Sequence, residues 1–125
     1  MRRGRRKLFT LILLAALGAL ISVVPAAAHA VLLESNPAVK SAVPGPDVPI
    51  KLRFNVRIDA VRSRLTLIRP DGSTQALDVS KQTPADTLSA EATGLSAGGY
   101  RLRWQVLASD GHITRGEIPF TVTAS

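Results

Sequence analysis

Residues 100–108 alternate. Tyr100, Leu102, Trp104, Val106 and Ala108 are apolar, and Arg101, Arg103 and Gln105 stand between them. Successive side chains in a β-strand point to opposite faces, so this segment has one dry face and one wet face. Such a strand needs partners along its edges and a second layer over its apolar side. Shorter runs can supply them. Ile50–Asn55 places Ile50, Leu52 and Phe54 on one side, and Arg64–Arg69 does the same with Leu65 and Leu67. Thr74–Val79 reads as a hairpin return, Thr87–Ala92 as a weaker strand, Ile113–Thr123 as a closing strand and Ala30–Ser35 as a short extended segment. Turn formers separate them at Pro70-Asp71-Gly72, Gly94–Gly99 and Ser109–His112. The stretch Asn36–Pro49, with prolines at 37, 44, 46 and 49, reads as a loop. Pro119 cannot donate a ladder hydrogen bond, so it is expected at a sheet edge or a bulge. No segment after residue 28 keeps a helical period. About seven short strands in the 97 residues from His29 predict an all-β fold, an Ig-like antiparallel β-sandwich or a Greek-key barrel.

The first 28 residues have a different character. Arg2, Arg3, Arg5, Arg6 and Lys7 precede an apolar run from Leu8 to Val24, and Pro25-Ala26-Ala27-Ala28 follows. A basic start, an apolar centre and small residues at −3 and −1 make a secretory signal peptide. Residues 1–28 are therefore expected to be a leader helix, removed before His29, leaving 29–125 as the exported domain in the periplasm or another extracytoplasmic space. Ala28-His29-Ala30 offers a second cleavage site, which would leave Val31 first. An uncleaved membrane anchor is the other alternative. The general secretory route fits better than twin-arginine export, whose signal Arg5-Arg6 matches only loosely.

The leader also accounts for the charge. The whole chain carries +7, with five of its sixteen basic residues in the first seven positions. Residues 29–125 hold eleven basic and nine acidic side chains, a net of +2. Bulk charge thus gives no reason to expect a nucleic-acid partner. The chain has no cysteine, and its only methionine is Met1, so sulfur-based metal sites are excluded from the exported domain. The G-x-S-x-G elbow, the phosphate-binding glycine loop and the H-E-x-x-H helix are all absent. No catalytic residues are expected.

Two histidines remain, His29 and His112. After cleavage His29 would offer an α-amine and an imidazole nitrogen on one residue, which close a chelate ring on a metal. His112 would supply a third nitrogen and Asp110, two residues earlier, an oxygen; Gly111 lets the turn bend closely. Copper(II) prefers such a tetragonal, nitrogen-rich set. A solvated loop histidine and a chance Asp-Gly turn are the plain alternatives.

Several segments together resemble the CopC family of periplasmic copper-binding proteins across nearly all of residues 29–125. His29-Ala30-Val31-Leu32-Leu33-Glu34-Ser35-Asn36-Pro37-Ala38 is similar to the family opening. Val48–Phe54 resembles its second strand, and Leu95–Val106 its L-x-x-G-x-Y-x-V-x-W-x-V segment. Ser109–Gly116, followed by Phe120-Thr121-Val122, resembles its S-x-D-x-H turn and last strand. The resemblance implies a small β-sandwich in copper homeostasis or resistance. It would bind one Cu(II) per chain through His29, Asp110 and His112, with an inner-membrane copper transporter of the CopD type as partner. The methionine-rich Cu(I) site of some relatives is not expected here. Where many relatives read F-S-E, this chain has Phe54-Asn55-Val56 and then Arg57, so that carboxylate is missing. A histidine-brace copper mono-oxygenase and a metal-free interaction module are the competing functions.

Overall fold

The structure is a computed structural model and describes residues 29–124. The expected signal peptide, residues 1–28, lies outside the described residues. Eight strands follow in order: β1 (Leu32–Asn36), β2 (Ser41–Pro44), β3 (Val48–Phe54), β4 (Arg64–Ile68), β5 (Thr74–Leu77), β6 (Thr87–Ala92), β7 (Gly98–Leu107) and β8 (Ile113–Thr123). They form two sheets, β1-β3-β6 and β2-β8-β7-β4-β5. The architecture is an Ig-like sandwich. The barrel alternative is set aside, because no strand pairing joins the two sheets among the described residues and each sheet keeps two open edges.

Period two builds the core. Ile50, Leu52 and Phe54 of β3 face Leu102, Trp104 and Val106 of β7, with Leu65, Leu67, Leu88, Ile118, Phe120 and Val122 completing the buried set. Phe54 and Trp104 meet edge to face across the two sheets, with ring centroids 5.2 Å apart. Tyr100 stacks on Phe120, and its hydroxyl donates to the Ser96 carbonyl at 2.7 Å. A tyrosine at the start of a strand, bonded back to the backbone four residues upstream, is a tyrosine corner, an independent mark of this fold.

Within that class one element differs from the sequence reading: Ser41–Pro44, read as part of a loop, is a strand, which makes eight. It pairs in parallel with β8, Ser41 opposite Phe120 and Pro44 opposite Thr123, so the sandwich is not wholly antiparallel. Its prolines are tolerated because the strand is short and lies at a sheet edge. Pro119 lies inside β8, second from that edge. Its carbonyl accepts from the Lys40 N–H at 2.7 Å, just where β2 begins. A residue's nitrogen and carbonyl leave a strand on the same side. The missing N–H therefore faces the segment just before β2 begins, where the ladder has not started.

Candidate metal centre

The hairpin between β7 and β8 sets the geometry of one end of the sandwich. The Gly111 N–H donates to the Ala108 carbonyl at 2.9 Å, and the Ala108 N–H donates to the His112 carbonyl at 2.9 Å. Gly111 has φ of +88°, so Ser109-Asp110-Gly111 is a three-residue hairpin loop that closes on a left-handed residue. Glycine takes that conformation without steric cost.

Within this loop Asp110 turns its carboxylate onto His112. Oδ1 accepts from the His112 backbone N–H at 3.0 Å, and Oδ2 lies 3.0 Å from Nδ1 of the same residue. The backbone N–H first, then the imidazole, hold the Asp110 carboxyl below the usual carboxylate range. Its negative charge is thus secured at neutral pH. Because Nδ1 of His112 faces Asp110, Nε2 is the nitrogen left to face outward. Both side chains remain partly exposed, His112 at 48% and Asp110 at 34%.

His29 reaches this hairpin from the start of the domain. Its ring centroid lies 5.4 Å from that of His112, the planes inclined at 71°. Two residues on, Val31 is fixed at both backbone atoms. Its N–H donates to Asn55 Oδ1 at 2.7 Å, and its carbonyl accepts from the Asn55 N–H at 3.0 Å. Ala30 between them is buried at 3% exposure. The segment after Asn55 then grips the hairpin. The Ser109 N–H donates to the Arg57 carbonyl at 3.0 Å, Ile58 bridges Ala108, and the Asp59 N–H donates to the Leu107 carbonyl at 2.9 Å. Residues 55–59 are therefore a bracket: one end holds the chain start, the other holds the turn.

The three residues singled out in the sequence lie together at this end, but not as a finished cage. His29 meets His112, and Asp110 meets His112. Among the described residues, no three His, Cys, Asp or Glu side chains converge tightly enough to hold a metal by themselves. Sequence reasoning did not find Asn55 as the clamp. Its one signal was a polar residue at the end of an apolar alternation. Val56, at the position where the resemblance places a carboxylate, is half-buried and packs on the core instead.

The model of the CopC domain matches residues 32–123, a span that includes Asp110 and His112 and starts three residues after His29. The chain belongs to the CopC family. Two solved structures from the family are similar to it. CopC from Methylosinus trichosporium OB3b is 28% identical, with 77% of this chain and 95% of that one covered at a TM-score of 0.69. PcoC, a methionine-rich copper resistance protein from Escherichia coli, is 29% identical, covering 77% of this chain and 100% of that one at a TM-score of 0.64. No curated protein matches the chain. Membership of the CopC family ties the protein to copper. The methionine richness in the description of PcoC has no counterpart here, since Met1 is the only methionine.

Proposed function

We propose that this protein is exported, loses residues 1–28, and binds one Cu(II) at its new N-terminus, sequestering copper or handing it on without catalysing a reaction. The donors are the α-amine and imidazole of His29, a ring nitrogen of His112 and the carboxylate of Asp110; an ion taking both of the last two lies on the Nδ1 side of His112, where Oδ2 is 3.0 Å from Nδ1. The observation that carries the reading is the 5.4 Å approach of two imidazoles that are far apart in the sequence, with a carboxylate already seated on one of them. Nitrogen and carboxylate donors with no sulfur nearby suit Cu(II) and not Cu(I). In the precursor the His29 nitrogen is an amide and cannot serve. Cleavage therefore creates the site, and premature loading inside the cell is avoided. The amine and imidazoles must shed their protons to bind, so affinity falls as the solution becomes acid.

Three measurements test this. The mass of the exported protein should correspond to a chain starting at His29. Electron paramagnetic resonance of that protein with one equivalent of Cu(II) should show a tetragonal, nitrogen-rich centre. His112→Ala should lower affinity beyond the ~100-fold that loss of an outer-sphere partner costs. A product starting at Val31, or a His112→Ala protein with wild-type affinity, would refute the assignment.

A further inference from the structure

Charge on residues 29–125 is unevenly placed. Paired residues on neighbouring strands project to the same side of a sheet. Arg64 of β4 stands opposite Gln105 of β7, and Gln105 opposite Arg115 of β8; Thr66 stands opposite Arg103, and Arg103 opposite Glu117. Arg101 lies two residues before Arg103 on the same face. The inward neighbours Leu65, Leu102, Trp104 and Ile118 are buried, so this row faces outward. The outer face of the five-stranded sheet thus carries four arginines and one glutamate, a net of +3. Everything else in residues 29–125 holds seven basic and eight acidic side chains, a net of −1. The net positive charge of residues 29–125 is thus accounted for by this face.

The arginines are available. Arg101 and Arg103 keep more than half of their side-chain surface exposed and share a single carboxylate, Glu117, at 3.4 Å each. Arg115 donates through Nε to Gln105 Oε1 at 2.8 Å, which leaves its two terminal nitrogens for another acceptor. Arg64 is exposed and has no ion pair among the described residues. None of β4, β7 and β8 contains a lysine. A guanidinium fork matches phosphate oxygens two at a time, which an ammonium does not. The four groups are spread over three strands, roughly 10 Å across, and do not converge on one point. Ile113, 51% exposed and opposite Leu107, adds an apolar contact at the hairpin end of the same face. A flat array of this kind fits a surface of phosphates better than a single anion.

We propose that this face docks on a bilayer bearing anionic phospholipid headgroups. His29 and His112 lie past the ends of β7 and β8, so docking leaves them uncovered at the rim of the contact. The proposal does not depend on the copper assignment. Its test is co-sedimentation of the protein, as isolated from cells, with vesicles of pure phosphatidylglycerol and of pure phosphatidylcholine at low salt. Binding should favour phosphatidylglycerol and disappear as salt is raised towards about 1 M. Each arginine near an anionic surface is worth roughly fivefold in partitioning, so Arg64→Gln with Arg101→Gln should lower it about 25-fold. Lys51→Gln with Lys81→Gln, which removes the same net charge elsewhere, should change it far less. Equal binding to the two lipids would overturn the proposal, as would equal losses in the two double variants. So would displacement by inorganic phosphate beyond that of sodium chloride at matched ionic strength, which would mark a free-anion site. Absence of binding to phosphatidylglycerol would overturn it in favour of an acidic protein surface.

Discussion

Replacing Gly116 by alanine should destabilise the domain through one side chain. Gly116 stands opposite Trp104 in the β7–β8 ladder. A Cβ added there would lie 2.4 Å from Cζ2, 2.5 Å from Cε2 and 2.8 Å from Nε1 of the indole. Carbon atoms are comfortable at about 3.5–4.0 Å, so the ring has to retreat by about 1 Å. It has little space for that, being 7% exposed and held edge to face by Phe54. Gly116 is not at positive φ, so the cost is steric and not conformational. Overpacking of this kind costs about 1–3 kcal/mol. Removing a glycine from a strand returns roughly 0.5–1 kcal/mol of chain entropy in the opposite sense. A contact as short as 2.4 Å puts the steric cost in the upper half of that range, so the net loss is about 1–2 kcal/mol, and for a domain near 100 residues each kcal/mol moves Tm by roughly 4–8 °C. Thermal unfolding followed by circular dichroism should show Tm lowered by about 5–15 °C, with an altered near-ultraviolet signal from Trp104, the only tryptophan. Trp104→Phe in the same background should recover part of the loss, a coupling that a double-mutant cycle reads directly. A Gly116→Ala protein as stable as the wild type would show that the indole is not confined by its neighbours.

Asn55→Ala removes the acceptor for the Val31 N–H. It should cost about 0.5–1.5 kcal/mol in urea unfolding, and it should weaken Cu(II) binding about tenfold by loosening His29. The Glu34 carboxyl is held below its usual range by hydrogen bonding and then charge from Arg53, whose guanidinium lies 2.9 Å away. Because its folded pKa is depressed, the pair's contribution is present above the unfolded pKa and is lost as pH falls through the folded one. An NMR titration of Glu34 should therefore show a low midpoint that returns to the ordinary range in Arg53→Gln. Free Cu(II) at about 100 times its Kd should stabilise the exported protein by about 2.7 kcal/mol, and a chelator should reverse the gain.

The strands were legible where apolar residues alternate. Ile113–Thr123 and Thr87–Ala92 have the limits read from sequence, and Tyr100–Ala108 differs from β7 by a residue or two at each end. Ser41–Pro44 was not legible. It has no apolar alternation, ends on a proline, and is a strand only because the last residues of β8 offer it an edge. At the candidate site, the contact between Asp110 and His112 follows from their spacing across Gly111. The meeting of His29 with that turn does not follow from spacing. It depends on the bracket of residues 55–59, made largely of backbone hydrogen bonds that carry no side-chain signature.

The parallel seam between β2 and β8 links distant parts of the polypeptide; the Thr123 hydroxyl bonds to the Val43 carbonyl across 80 positions. During synthesis, residues 41–44 have no companion until the final stretch emerges. Contacts so remote in sequence form late and slowly. On the proposed export route, a chain threading a translocation pore from its amino end completes the larger sheet only after residues 113–123 have passed.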